Sequence, residues 1–298
     1  MLVAGFDGSD TTVTDDPLLL RLLAARGVNA QVHAWTDPAV DWDAADLVWV
    51  RSTWDYTSRF AEWLGWLAQR RGRVENDPAL LAWNSDKSYL ADLAAAGLPT
   101  VPTSFVAPGE APPALTGEVV VKPSVSAGGR DTGRFGPDHH AAARALVASI
   151  GASGRWAMVQ PFLPGVECRG ETAVVVVDGL ISHVLRKRSV LAPDEVAPVR
   201  ADALGAAEAM YDPDLVRADP QGATPAELEV VEQVLAFVRA RFGTTPLQMR
   251  VDLLPAGDGP VLLELEAVEP HLYLDEAGPD VADRLVDAAL RRLGVTPP

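Results

Sequence analysis

Met249-Arg250-Val251-Asp252-Leu253-Leu254, Pro255-Ala256-Gly257-Asp258-Gly259 and Val261-Leu262-Leu263-Glu264-Leu265-Glu266 together form the stretch that decides the fold. Two apolar runs with β-branched content flank a Pro/Gly/Asp segment, and that pattern predicts a β-hairpin. Side chains alternate between the faces of a strand. Arg250 and Asp252 therefore share one face of the first strand, with Val251 and Leu253 on the other. On the second strand Glu264 and Glu266 share a face, and Leu263 and Leu265 fill the opposite one. Three carboxylates and a guanidinium on an otherwise apolar hairpin need partners, because an unpaired charge is costly to bury. Oxygen donors in that number suit Mg2+, which is held by one or two carboxylates together with substrate phosphates. The competing reading is a solvated strand face in an acidic protein.

Composition narrows the field. A chain of 298 residues is long enough for two or three compact units. Its formal net charge of -16 argues against nucleic acid as a partner, since no excess of Lys and Arg is present to neutralise phosphates. A phosphate ligand needs only a local positive patch and stays open. Cys168 is the single cysteine, so no intrachain disulfide forms and a reducing compartment is expected. The start lacks a basic segment followed by an apolar one, and no long apolar span occurs. A cytoplasmic protein with no membrane partner is the expectation.

Upstream, Met1 to Phe6 reads as a strand, and Pro17 opens a helix through Arg26 that stops at Gly27. Val28 to Trp35 and Asp46 to Val50 read as further strands, so the opening unit is expected to be α/β with a parallel sheet. Ligands sit beyond the carboxyl ends of such strands. Arg51-Ser52-Thr53-Trp54-Asp55-Tyr56 occupies that place here. Phe60 to Arg70 is an amphipathic helix, Asn76 to Asn84 a connector, and Ser85 to Ala96 a helix capped by Ser85 and ended by Gly97. A unit boundary falls near Leu98-Pro99. Glu118 to Val121 is a strand ending in Lys122, Asp138 to Ile150 a helix, and Trp156 to Gln160 a strand. Asp178-Gly179 between apolar runs predicts a second hairpin, whose return strand carries His183, Leu185 and Lys187 on one face. Residues 192–222 have no period and are expected to form a surface excursion or lid. Thr224 to Phe242 is a helix opened by a Thr224/Glu227 capping box, and Asp280 to Leu293 closes the chain as another.

Chemistry concentrates in a few places. Ser124 to Gly133 is a Ser/Gly/Arg loop directly after the strand-end Lys122. Small residues let a backbone turn its N–H groups toward phosphate oxygens. The loop matches neither the P-loop nor the dinucleotide fingerprint, and a flexible turn explains it equally well. Lys87 on an apolar helix reads as a surface residue when taken alone. Cys168 has no activating partner in the sequence, and the histidines show no zinc-ligand spacing.

The ordered set resembles the ATP-grasp superfamily of ATP-dependent carboxylate ligases over roughly residues 84–275. It comprises a lysine, a strand lysine with a Gly-rich loop, an apolar strand running into Gln160-Pro161-Phe162-Leu163, and a late acidic hairpin. The resemblance implies a fold of α/β and α+β class, with two α+β lobes around the nucleotide preceded by a small parallel-sheet α/β domain. The divisions are 1–97 on the substrate side, 98–170 as the small lobe and 171–298 as the large lobe with the metal site. It implies ATP and Mg2+ as cofactors, with Lys87 and Lys122 on the nucleotide. Ser126, Gly128, Gly129 and Gly133 would lie over the phosphates, Gln160 to Leu163 at the adenine, and Glu171 beside the nucleotide. Asp252, Glu264 and Glu266 would hold the metal, and Arg250 would steady the transferred phosphate. Glu266 stands where most of the superfamily carries asparagine.

Val50 to Tyr56, Gly170-Glu171, Ser182 to Lys187 and Glu264 to Pro270 are similar to a branch that includes the cyclo-ligase closing O-ureido-serine to cycloserine. Gly5 to Ser9 and His271 depart from it. The expected partner is a small amino-acid-like carboxylate, gripped by Arg51 and Lys187 with help from His183. Its carboxylate would be activated as an acylphosphate and then attacked by an internal or external amine. A dipeptide- or peptide-tailoring ligase and a non-catalytic nucleotide-binding protein are the alternatives. Whether the chain forms a homodimer is left open.

Overall fold

The computed structural model describes residues 1–5, 14–188, 191, 216–219 and 221–297. Most of the expected 192–222 excursion, and Phe6 to Ser9 of the opening segment, lie outside those residues.

The first sheet is built from β1 (Leu2–Gly5), β2 (Gln31–Ala34), β3 (Val48–Ser52) and β4 (Val74–Glu75), in the order β2-β1-β3-β4 and parallel throughout. Its helices are α1 (Asp16–Ala25), α2 (Phe60–Gln69), α3 (Pro78–Asn84) and α4 (Tyr89–Ala95). Trp35, Trp42, Trp63 and Trp66 pack beside this sheet in mostly edge-to-face contacts, the geometry that the ring quadrupole favours. The segment expected to be a connector and then one helix is instead α3 and α4. Asp77 caps α3 by accepting from Ala79 N, with Pro78 at the first helical position. Ser85 therefore closes α3 rather than opening α4.

The second sheet contains β5 (Ser104–Val106), β6 (Val119–Pro123), β7 (Gly133–Phe135) and β8 (Ala157–Pro161) in the antiparallel order β5-β8-β6-β7. It packs against α5 (His140–Ala152), and the short α6 (Gly165–Arg169) follows β8. The third sheet has β9 (Glu171–Val177), β10 (Leu180–Lys187), β11 (Val216–Ala218), β12 (Gln248–Ala256) and β13 (Gly259–Glu266) in the order β11-β10-β9-β12-β13. The helix α7 (Pro225–Phe242), opened by the expected Thr224/Glu227 capping box, covers one face together with α4. On the other face lie α8 (Leu274–Ala277) and α9 (Pro279–Leu293), with Leu19 and Leu23 of α1 and Trp49 of β3 completing the same cluster.

The anchor hairpin forms with two differences from expectation. Its strands run to Ala256 and Gly259, so only Gly257-Asp258 turns the chain. A bulge between Asp252 and Leu253 places Leu262, with Leu265, in the buried cluster and leaves Leu263 partly buried elsewhere. The charged register is kept: Arg250 faces Glu266, and Asp252 faces Glu264.

The outer edge of β13 is covered by side chains and by the 98–101 segment. Asn84 donates to Leu265 O (2.7 Å) and accepts from Ala267 N (2.6 Å). Tyr89 Oη donates to Leu265 O and accepts from Leu265 N. Val101 N donates to Leu262 O. With its edge groups satisfied, the hairpin carrying the carboxylates is held in one register.

Candidate active site

Lys87, in the turn between α3 and α4, reaches the acidic face of β13. Its Nζ donates to Ser126 O (2.5 Å), lies 3.4 Å from Ser126 Oγ and pairs with Glu264 Oε1 at 3.1 Å. Burial opposes the charge on Lys87, but the Glu264 carboxylate outweighs it and raises its pKa. Lys122 stands near the end of β6, opposite Met158 of β8, and feels both Glu264 and Lys87. It is 8% exposed and has no hydrogen bond or ion pair among the described residues. Burial pushes its pKa down, with Glu264 countering and Lys87 adding to the fall.

Deeper in the sheet Arg250 donates to both oxygens of Asp252 and to Glu266, while its Nη1 donates to His271 O at 2.8 Å. Lys187 on β10 bridges Asp252 (2.8 Å) and Glu171. Asp252 is held below the usual carboxylate range: burial opposes its charge, and Arg250 and Lys187 prevail. For Glu171 and Glu266 burial wins, pushing each carboxyl up to about 7, against Lys187 and Arg250 respectively.

The remaining expected residues fall as follows. Gly128 and Gly129 have φ values of 63° and 68° in the loop between β6 and β7. A Cβ at Gly129 would meet nothing within 4 Å, so the left-handed backbone, not space, calls for glycine. Ser126 Oγ donates to Pro123 O (3.2 Å), and Gly133 opens β7 opposite Val121. Gln160 is buried and donates to Thr103 Oγ1 at 2.8 Å, whereas Pro161 is exposed. Phe162 and Leu163 are half-buried, and the Arg134 guanidinium lies 3.4 Å from the Phe162 ring centroid.

Two expected substrate groups are placed differently. Arg51 donates to Asp15, Asp16 and Gln248, at 3.3, 3.4 and 2.5 Å, and is 3% exposed. Its guanidinium joins the start of α1, β3 and β12. His183 Nε2 bonds to Leu272 O (2.8 Å), so this ring holds the chain after β13 in place. The Asp15 carboxylate accepts from Leu272 N and Leu274 N on either side of Tyr273, whose φ is 53°.

A curated relative is similar over nearly the whole chain. It is the cycloserine biosynthesis protein DcsG of Streptomyces lavendulae, 34% identical over 294 residues, covering 94% of each chain. The chain belongs to the ATP-grasp ligase family. It is an ATP-dependent carboxylate–amine ligase. The crystal structure of D-cycloserine synthetase DcsG superposes with a TM-score of 0.84 at 32% identity, over 98% of this chain and 99% of that one. A profile described as D-cycloserine synthetase DcsG, N-terminal domain, matches residues 2–76. A D-alanine–D-alanine ligase from Bacillus anthracis, complexed with ATP, shares the fold. It gives a TM-score of 0.61 at 14% identity, over 98% of this chain and 96% of that chain.

Within this ATP-grasp frame, sequence reasoning passed over Asp15, Gln248 and Glu269 as site residues. Asp15 and Gln248 gave no local signal, since Asp15 meets Arg51 and Leu272 at separations of 36 and 257 positions, and Gln248 meets Arg51 at a separation of 197. Glu269 sits three positions beyond Glu266, where the strand has ended and alternation no longer says which way a side chain points. Among the described residues no helix is long and apolar enough to cross a membrane, and no group of three or more His, Cys, Asp or Glu stands arranged for a metal ion.

Proposed function

We propose that the chain binds ATP between its second and third sheets and uses it to close a small amino-acid-like carboxylate onto a side-chain nitrogen of the same molecule. The observation that carries this reading is Lys122, a buried ammonium without a partner beside the Lys87–Glu264 pair. Such a charge is stable only if an anion arrives, and nucleotide phosphates fit. Ser126, Gly128, Gly129 and Gly133 would cover those phosphates. Gln160 to Leu163 and Glu171 would meet the base and ribose.

Asp252 and Glu264 face each other across β12 and β13, and their oxygens are the donors that Mg2+ takes. They would hold the ion, which when bound offsets phosphate charge. Glu266, shared with Arg250, would be its further ligand. Lys187 and Lys87 now occupy those carboxylates and would shift their hydrogen bonds toward substrate and phosphate oxygens.

In the first step a carboxylate oxygen of the substrate attacks the γ-phosphorus, the bond to the bridging oxygen breaks, and ADP leaves. Arg250 and Lys122 stabilise the charge on the phosphoryl group in flight. A side-chain nitrogen of the substrate then attacks the acyl carbon, phosphate departs with the C–O bond electrons, and that nitrogen loses a proton. In O-ureido-serine it is the nitrogen bound to the side-chain oxygen, and its carbamoyl group leaves by hydrolysis to give the free ring N–H. The full-length similarity to a cycloserine biosynthesis protein supports O-ureido-serine as the substrate type. The single cysteine and the charge suit a reducing, cytoplasmic setting.

The test is phosphate release with ATP, Mg2+ and O-ureido-serine as the sole organic substrate. Turnover without added amine is expected, with the ring-closed product seen by mass spectrometry. Turnover only when a second amine is supplied would replace cyclisation by intermolecular joining.

A further inference from the structure

The carboxylates of the acidic hairpin are already matched: Asp252 with Arg250 and Lys187, Glu264 with Lys87, and Glu266 with Arg250. Glu269 is not. Its backbone is pinned where Trp54 Nε1 donates to Glu269 O at 3.1 Å, and the adjoining Val268 and Pro270 are buried. Its carboxylate makes no hydrogen bond or ion pair among the described residues, although the residue is only partly exposed. It lies within electrostatic reach of Glu266, Lys87, Glu264 and Arg250, and it is the first charged influence on the Tyr56 phenol from the 1–97 unit. Glu269 therefore borders the cleft where the parallel-sheet unit meets β13.

Lys122 and Glu269 are thus two ionisable groups of opposite type, each without a hydrogen bond or ion pair among the described residues, near the same Lys87–Glu264 pair. Lys122 calls for an anion, which the phosphates supply. Glu269 ionises only beside a cation, and the Mg2+ that accompanies ATP is assigned to Asp252, Glu264 and Glu266, which leaves Glu269 for a cationic group of the substrate.

We infer that Glu269 binds the ammonium group of an amino-acid substrate and so selects amino carboxylates over carboxylates that lack the amine. The inference rests on the ligase reading above and names the group that recognises its substrate. Burial, with Glu266 adding to the rise, pushes the Glu269 carboxyl up to about 8 against Lys87. A substrate ammonium supplies the missing counter-charge, so substrate and carboxylate stabilise one another's ionised forms. A charge-assisted bond in a sheltered cleft is the kind of contact that discriminates strongly, because the analogue without it leaves a buried group unmatched.

The experiment compares wild type with Glu269→Gln and Glu269→Asp, using the amino acid from a small panel (O-ureido-serine included) that the wild type turns over fastest. Its counterpart with hydrogen in place of the α-amino group is the second substrate. Glu269→Gln is expected to raise KM for the amino acid about 10- to 100-fold. Affinity for AMP-PNP, and the weak turnover of the desamino compound, stay unchanged. Glu269→Asp, which keeps the charge, recovers part of the loss. Equal loss for both substrates, or none for either, would overturn the inference. Wild type that binds AMP-PNP and turns over no amino acid would instead defeat the ligase reading on which it stands.

Discussion

At the residue scale the site is a set of buried charges whose partners decide their states. Glu269 is protonated in the folded protein up to about pH 8, because burial and Glu266 oppose its ionisation. In the unfolded chain its pKa is about 4.3. A carboxyl with a raised folded-state pKa contributes stability below the unfolded value, and loses it as pH rises through the folded one. Glu171 and Glu266, each near 7, act in the same sense. Asp252 has the opposite sign, since Arg250 and Lys187 lower its pKa and its contribution is lost only in acid. The apo protein is therefore expected to lose stability between pH 6 and pH 9. Glu269→Gln should flatten that decline. Urea midpoints of both proteins at the two pH values measure it, and parallel declines would show that Glu269 ionises freely.

At the element scale, the chain after β13 is fixed from three directions: by Asp15 of the 1–97 unit, by His183 of β10, and by Arg250 of β12. Asp15 also pairs with Arg51. Asp15→Ala would leave the Leu272 and Leu274 amides and part of Arg51 unmatched, at a cost of about 3 kcal/mol. Asp15→Asn keeps an acceptor for the amides and should lose less, a ranking that urea denaturation reads directly. Equal losses would assign the effect to charge alone.

These elements also mark what the sequence could reveal. The hairpin was legible because alternation and turn residues are local, and they placed Arg250, Asp252, Glu264 and Glu266 on one face. The bulge that moves Leu262 inward was not legible, since a one-residue slip leaves the composition of the strand unchanged. Asp77-Pro78 does announce α3, but a seven-residue helix carries too short a period to separate from a connector. Arg51 was read as a substrate grip from its place after β3. Its three acceptors come from α1 and β12, and no local pattern records them.

At the scale of the whole molecule, the parallel-sheet unit and the third sheet share a core cluster in which Leu19 and Trp49 pack with residues of β9 and α9. Asn76 links them further by donating to Gln248 O and Ala267 O and accepting from Leu247 N. Burying these groups together sets the walls of one cleft: Lys87 and Lys122 on one side, the acidic hairpin opposite, and Glu269 near Tyr56. Lys122 is left there without a partner among the described residues, and in the proposed function a nucleotide phosphate supplies one.

The most direct test is isothermal titration of AMP-PNP, with and without Mg2+, into wild type, Lys122→Met and the Asp252→Ala, Glu264→Ala double variant. Thermal denaturation of the same samples accompanies it. Wild type should bind with Mg2+ dependence, and the double variant should lose that dependence. Lys122→Met should bind at least about 10-fold more weakly while unfolding at the same temperature or higher, because it removes a buried charge that has no partner in the apo protein. Undiminished binding by Lys122→Met, or a lower unfolding temperature with nucleotide affinity intact, would contradict the central claim that Lys122 is a buried charge kept for phosphate.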